Sequence, residues 1–164
     1  MFSAGIITVS DRSSQGVRED SSGPAIAAVL AGIAIDVRQT LIIPDEKDKI
    51  KEAIIKWADI DNLDLIITTG GTGVSPRDLT PDATLEVIDR QLPGVAEAMR
   101  HQSMQITPYA MISRAIAGIR GRALIVNLPG SPKGAKENLN VILPALKHAI
   151  EKIKGDTAEC GSPG

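Results

Sequence analysis

Two aspartates, a glycine-rich turn and a few basic residues are the parts of this 164-residue chain that could do chemistry. The turn is Thr68-Thr69-Gly70-Gly71-Thr72-Gly73, followed by Val74-Ser75-Pro76-Arg77-Asp78. Glycine at 70, 71 and 73 lets the backbone take positive φ and brings its N–H groups close to whatever binds there. Beside it, Arg77 can grip a phosphate and Asp78 can hold a hard cation. A second aspartate, Asp45, follows Pro44 at the end of an apolar run. Mg²⁺ favours one or two carboxylates completed by phosphate oxygens, so two aspartates near a phosphate-sized loop suit nucleotide chemistry. Arg77 and Lys133 could clamp the anion.

Each of these residues also has a plainer reading. The loop matches neither G-x-x-x-x-G-K-[ST] nor G-x-G-x-x-G, because Val74-Ser75-Pro76 follows Gly73 and no lysine closes it. A tight βα turn therefore stands beside the anion site. Asp45 could cap the helix after it, and Asp78 could be a turn residue. Ser131 before Pro132 reads as a helix cap ahead of a nucleophile. His101 and His148 fall on helical segments remote from any serine motif, so a Ser-His-Asp hydrolase is unsupported.

The elements that must position these residues follow from the hydrophobic pattern. Ile6 to Ser10, Val37 to Ile43 and Leu65 to Thr68 are β-branched runs that read as strands. Residues 11 to 16 read as a polar loop. Helices are expected from Ser22 to Leu30, after Asp45 with an Ile50, Ile54, Trp57, Ala58 stripe, from Thr80-Pro81 to Ile88, and from Val95 to Tyr109. Thr80 is the expected N-cap, and Leu92-Pro93-Gly94 reads as a stop. Ala115 to Ile119 and Ala123 to Asn127 pair as a hairpin through Arg120-Gly121-Arg122. A terminal helical region follows, in which Pro144 predicts a kink or two abutting helices. Strands alternating with helices imply a single-domain, three-layer αβα sandwich with a mostly parallel sheet over residues 1–154 and a frayed tail over 155–164. The polar loops are those that follow strands: Ser10-Asp11, Pro44-Asp45, Gly70 to Asp78, and Asn127 to Lys133. In a parallel sheet these share one rim, where ligands bind.

Composition narrows the field further. Hydrophobic residues make up 43% and charged residues 23%, the balance of a globular chain, and aromatics are only 2%, so Ile, Leu, Val and Ala must build the core. A net charge of −2 with one Phe, one Trp and one Tyr disfavours nucleic-acid binding. Cys160 is alone, which excludes an internal disulfide and a cysteine zinc site and makes a catalytic thiol in the tail a poor candidate. No stretch approaches the roughly 18 apolar residues of a membrane span, and the N-terminus lacks a signal pattern, so the cytoplasm is the expected compartment.

Four segments together resemble the MogA/MoaB family, which includes the gephyrin G domains: Thr8-Val9-Ser10-Asp11-Arg12, Leu41 to Asp45, Thr68 to Thr84, and Asn127 to Gly134. The resemblance implies a molybdopterin-binding fold. It implies Mg-ATP-dependent adenylylation of molybdopterin with release of pyrophosphate, in molybdenum cofactor biosynthesis. The alternative it leaves open is a non-catalytic MoaB-type protein that binds or carries the pterin. Carried over by position, Asp45 and Asp78 are implied to be catalytic and to hold Mg²⁺. Ser10, Asp11, Gly70, Gly71, Thr72, Gly73, Arg77, Asn127, Pro129, Gly130, Ser131 and Lys133 are implied to hold ATP and molybdopterin. A homotrimer, with a hexamer in some members, and hand-over to a molybdenum-insertion protein complete the expectation.

Overall fold

The β-branched runs become the middle of a sheet. In the computed structural model, which describes residues 1–157, the strands are β1 (Phe2–Val9), β2 (Ile35–Ile43), β3 (Leu65–Thr69), β4 (Arg90–Gln91), β5 (Ala117–Arg120) and β6 (Ala123–Leu128). Cys160 and the rest of the expected tail from residue 158 lie outside the described residues. The six strands are ordered β2-β1-β3-β6-β5-β4, and β2, β1, β3 and β6 run parallel. β5 returns antiparallel to β6 across the expected Gly121-Arg122 turn. β4 is a two-residue edge pairing with β5 that no local pattern announces.

Side chains alternate between two cores, which makes three layers. Ala4, Ile6, Leu65, Ile67, Leu124 and Val126 pack with α2 (Ser22–Ala31), α5 (Pro93–Met104) and α6 (Pro132–Ile153). Ile7, Val9, Ile66 and Ile125 pack on the other face with α3 (Lys47–Ile55) and α4 (Thr80–Val87). Strands β1, β3 and β6 are therefore apolar on both faces, as central parallel strands must be. A π turn, Lys56–Ile60, continues α3 and brings Trp57 and Ala58 into that second core.

Four local features differ from the sequence pattern. The polar stretch after β1 contains one helical turn, α1 (Asp11–Ser14), capped by the Ser10 hydroxyl, which accepts from Ser13 N at 3.1 Å. Leu92-Pro93-Gly94 begins α5 rather than ending a helix, because proline loses nothing at the first helical position. α5 ends at Met104, and Pro108–Ile112 forms a separate 3₁₀ turn. α6 runs unbroken through Pro144: both Pro144 and Asn140, whose carbonyl loses its partner, lie exposed, where water can replace the missing bond. Gly155 and Asp156 then bond back to Lys152 O and Glu151 O, closing the helix.

The parallel strands send their carboxyl ends to one rim. The chain leaves β1 for β2 on one side and then crosses to β3 on the other, so a crevice opens where β1 and β3 end side by side.

Candidate functional site

The loop after β3 is shaped by its glycines. Gly70 has φ +100°, and any side chain there would run into the Val9 carbonyl. Gly71 has φ +65°, and a side chain there would meet the Thr80 hydroxyl and stand 3.1 Å from Asp45 Oδ1. Only glycine meets both demands. Thr80 is the first residue of α4, with Leu79 at the cap position, so its hydroxyl is not the expected cap. It donates instead to Gly70 O at 2.9 Å, while Thr80 N donates to Gly71 O at 3.1 Å. The start of α4 thus fastens the loop. Gly71 N and Thr72 N donate to no protein acceptor among the described residues, leaving them for a ligand.

The two aspartates flank this loop. Asp45 Oδ2 accepts from Asp11 N at 2.9 Å, and Asp45 N donates to Asp11 Oδ1 at 3.0 Å. Glu46, not Asp45, occupies the cap position of α3. Asp11 in turn receives two bonds from Arg77, Nε to Oδ2 at 2.6 Å and Nη2 to Oδ1 at 2.8 Å. Asp78 Oδ2 accepts from Ser75 N at 2.9 Å and stands 2.8 Å from where a side chain on Gly73 would begin. Among the described residues, Asp45 Oδ1 and Asp78 Oδ1 have no hydrogen-bond partner. Both residues line a polar cavity of about 290 Å³, together with Ser10, Gly70, Gly71 and Ser131.

Burial pushes the Asp45 carboxyl above its usual range, and the neighbouring Asp11 and Asp78 charges add to that, although the Asp11 N–H and the Arg77 charge oppose it. Asp11 moves the other way, held low chiefly by its bonds from Arg77. A carboxyl whose ionised form is disfavoured by its surroundings gains most from an incoming cation. Among the described residues no three His, Cys, Asp or Glu side chains cluster to hold a metal alone. The donor set therefore fits Mg²⁺ that arrives with phosphate oxygens and water.

The remaining expected ligands divide. Gly130 joins the polar cavity. Thr72, Gly73, Pro129 and Ser131 line a second cavity of about 300 Å³, whose walls are mainly apolar and include Met99, Ile106 and Ile112. Ser131 belongs to both and also caps α6, accepting from Gly134 N. Asp11 and Arg77 stand beside the polar cavity, paired with each other. Asn127 is not brought to either cavity: it is fully buried, donating to the Thr68 and Thr84 hydroxyls at 2.9 and 3.0 Å and accepting from Ile116 N. Lys133 points outward, 3.9 Å from Glu137, with its side chain 81% exposed.

Three site residues escaped the sequence reading. Asp20 accepts from Ser22 N and Gly23 N at the start of α2 and from the Thr8 hydroxyl, forming one wall of the polar cavity. An aspartate two residues before Ser22-Gly23-Pro24 is a helix-start signal. Arg18 is the basic side chain on that wall. Arg114, far along the chain, grips the glycine loop from outside, and nothing local to it signals that.

A family model described as "Probable molybdopterin binding domain" matches residues 5–148. The chain belongs to the molybdopterin-binding domain family. Molybdopterin adenylyltransferase of Helicobacter pylori (strain ATCC 700392 / 26695) is 43% identical over 154 residues, 93% of this chain and 88% of that one. MoaB of Thermus thermophilus, solved as a molybdopterin biosynthesis enzyme, superposes with a TM-score of 0.91 at 51% identity, covering 95% of this chain and 98% of its own. A solved MogA structure gives 0.88 at 40% identity, covering 92% and 99%. The span of the molybdopterin-binding domain includes both aspartates, the glycine loop and the Ser131 turn.

Proposed function

We propose that this protein is a molybdopterin adenylyltransferase that uses ATP to adenylylate molybdopterin in molybdenum cofactor biosynthesis. One observation carries the reading: Asp45 and Asp78 line one polar cavity together with Gly70 and Gly71, each with an oxygen left over. The relatives named as adenylyltransferases support it.

The triphosphate of ATP lies against the glycine loop, whose N–H groups at Gly71 and Thr72 receive its oxygens. Asp45 and Asp78 would hold Mg²⁺, which would supply positive charge to offset that of the phosphates. An ionised oxygen of the molybdopterin phosphate attacks the α-phosphorus of ATP. The new P–O–P bond forms as the bond from the α-phosphorus to the bridging oxygen breaks, and that oxygen leaves with its electron pair as part of pyrophosphate. The nucleophile is already ionised, so no protein base is needed, and neither His101 nor His148 lines the cavity. Arg18, which lines the cavity, would receive the departing charge, since Lys133 points outward and Arg77 is engaged by Asp11. The apolar cavity, which shares Ser131, receives a flat heterocycle from the substrate pair.

The family resemblance also carries a homotrimer in the cytoplasm that hands its product to a molybdenum-insertion protein. No described helix is long and apolar enough to cross a membrane. Tyr109, Met111 and Ile112, 80%, 68% and 52% exposed, supply an apolar face for such an assembly. Light scattering that gives three chains per particle supports the trimer, and a monomer contradicts it.

The activity is tested by pyrophosphate release from Mg-ATP with and without molybdopterin. Release that depends on molybdopterin supports the enzyme. Tight molybdopterin binding with no release would instead make the protein a pterin carrier.

A further inference from the structure

The loop from Gly70 to Leu79 draws little support from the cores, and the Arg77 guanidinium, bonded to Asp11, ties its middle to α1. Its ends are pinned by β3 and Thr80, but Val74 to Arg77 are exposed and contribute nothing to either core. Within the loop there is a single turn: Ser75 N donates to Asp78 Oδ2 and Asp78 N donates to Ser75 O, both at 2.9 Å. Such a segment would ordinarily sample many arrangements, and fixing it costs backbone entropy. Asp78, on which the proposed reaction depends, sits at its far end.

Arg114 supplies a second constraint, on the limbs of the loop that the Arg77–Asp11 pair does not reach. It lies between the 3₁₀ turn and β5, and Arg100 Nη1 anchors that segment by donating to Ala115 O at 2.7 Å. From there Arg114 N donates to Thr72 O at 2.8 Å, and its Nε donates to Gly73 O at 2.8 Å. Its Nη2 donates to the Asp78 carbonyl. Nη1 and Nη2 also donate to Asp82 Oδ1 and Oδ2, at 3.1 and 2.9 Å, in the first turn of α4. One planar guanidinium thus spans the two limbs of the loop and ties both to the helix that follows. An ammonium has three donors, but all lie on one nitrogen and cannot reach acceptors spread along the guanidinium fork.

We propose that Arg114, braced by Asp82, is a positioning residue that fixes the glycine loop so that Asp78 is preset to receive a divalent cation together with nucleotide phosphates. This rests on the Mg-ATP reading of the site given above. Arg114 and Asp82 are partly exposed, their side chains 39% and 44% accessible, so the pair adds little to global stability. Its effect falls on binding. Groups that orient metal ligands typically change affinity or activity by about 10–100-fold.

The test uses the full chain and the variants R114A, R114K and D82N. Calorimetry measures ATP affinity with Mg²⁺ and with EDTA, and hydrogen exchange follows the Ser75 and Asp78 amides without ligand. R114A should weaken Mg-ATP binding by about 10–100-fold and metal-free ATP binding by clearly less, because only the former uses Asp78, while the unfolding midpoint stays close to wild type. R114K should resemble R114A, because geometry and not charge is lost, and D82N should fall between them and wild type. The Ser75 and Asp78 amides should exchange faster in R114A and R114K. Mg-ATP affinity in R114A within twofold of wild type, or equal losses with and without Mg²⁺, overturns the proposal. If R114A does not fold, R114K and D82N decide by the same criteria. If wild type binds no Mg-ATP, the adenylyltransferase reading fails, and unchanged amide exchange in the variants then rejects the role of Arg114 separately.

Discussion

Asp64 and the pair Asp45 and Asp78 are the same side chain put to opposite uses at opposite rims of the sheet. Asp64, at the amino end of β3, spends both oxygens inside the protein: Oδ2 accepts from Ser3 N and Ser3 Oγ at 2.8 and 3.0 Å, and Oδ1 from Lys154 Nζ at 2.5 Å. Asp45 and Asp78, at the carboxyl rim, each spend one oxygen on a backbone N–H. The same division appears within the carboxyl rim itself. Asp20 and Asn127 have every polar group occupied, by α2 and Thr8 in one case and by Thr68, Thr84 and Ile116 in the other. Proximity to the crevice therefore does not make a residue a ligand; unspent bonding capacity facing the cavity does.

Substitutions should separate the two kinds. Asp78→Asn and Asp45→Asn should each lower pyrophosphate release by more than about 100-fold, beyond what supporting residues usually cost, whereas Asp64→Asn should leave turnover per folded molecule intact. Comparable losses in all three would erase the distinction. Asn127→Leu would strand the Ile116 N–H and the Thr68 hydroxyl and would take from the Thr84 hydroxyl one of its two partners. It should cost about 2–4 kcal/mol in denaturant unfolding, with kcat of the folded fraction preserved. Asp20→Ala leaves the Ser22 and Gly23 N–H groups and the Thr8 hydroxyl without their acceptor and should cost about 1–2 kcal/mol, read from the same transition.

The pH responses should differ in sign. Burial raises the Asp64 pKa, but the bonds from Lys154 and Ser3 outweigh it and hold the carboxyl below its usual value. That stability is present above the unfolded aspartate pKa and is lost as pH falls below about 4, so Asp64→Asn should flatten the acid limb of the stability curve. Asp45 is raised, so its ionisation in the folded state opposes stability at neutral pH. Asp45→Asn, whose amide oxygen can still accept from Asp11 N, should raise the unfolding midpoint slightly at pH 7. A drop there would place Asp45 with the structural carboxylates.

Much of this was legible in the residues because the informative patterns are local. β-branched runs marked β1, β2, β3 and β6, the Gly70 to Gly73 run marked the turn, and the polar segments after those strands marked the rim on which Asp45 and Asp78 meet. What stayed hidden depends on partners distant in sequence. Asn127 sits in Asn-Leu-Pro-Gly, which reads as a loop, yet its amide reaches Thr68 and Thr84 across neighbouring elements. Arg114 acts on residues more than thirty positions away. Thr80 and Pro81 announced a helix start correctly, but the hydroxyl went to the loop because Gly70 brings its carbonyl within reach. Pro144 failed to break α6 because its side of the helix faces solvent, a fact of packing and not of spacing.

In the proposed reaction Asp45 and Asp78 share one divalent ion with a triphosphate. Water-proton relaxation with Mn²⁺ as the probe tests it directly on wild type, Asp45→Asn and Asp78→Asn, with and without ATP. Strong enhancement in wild type only when ATP is present, and its loss in both variants, is the predicted result. Enhancement that is as strong without ATP, or that survives in either variant, would contradict it.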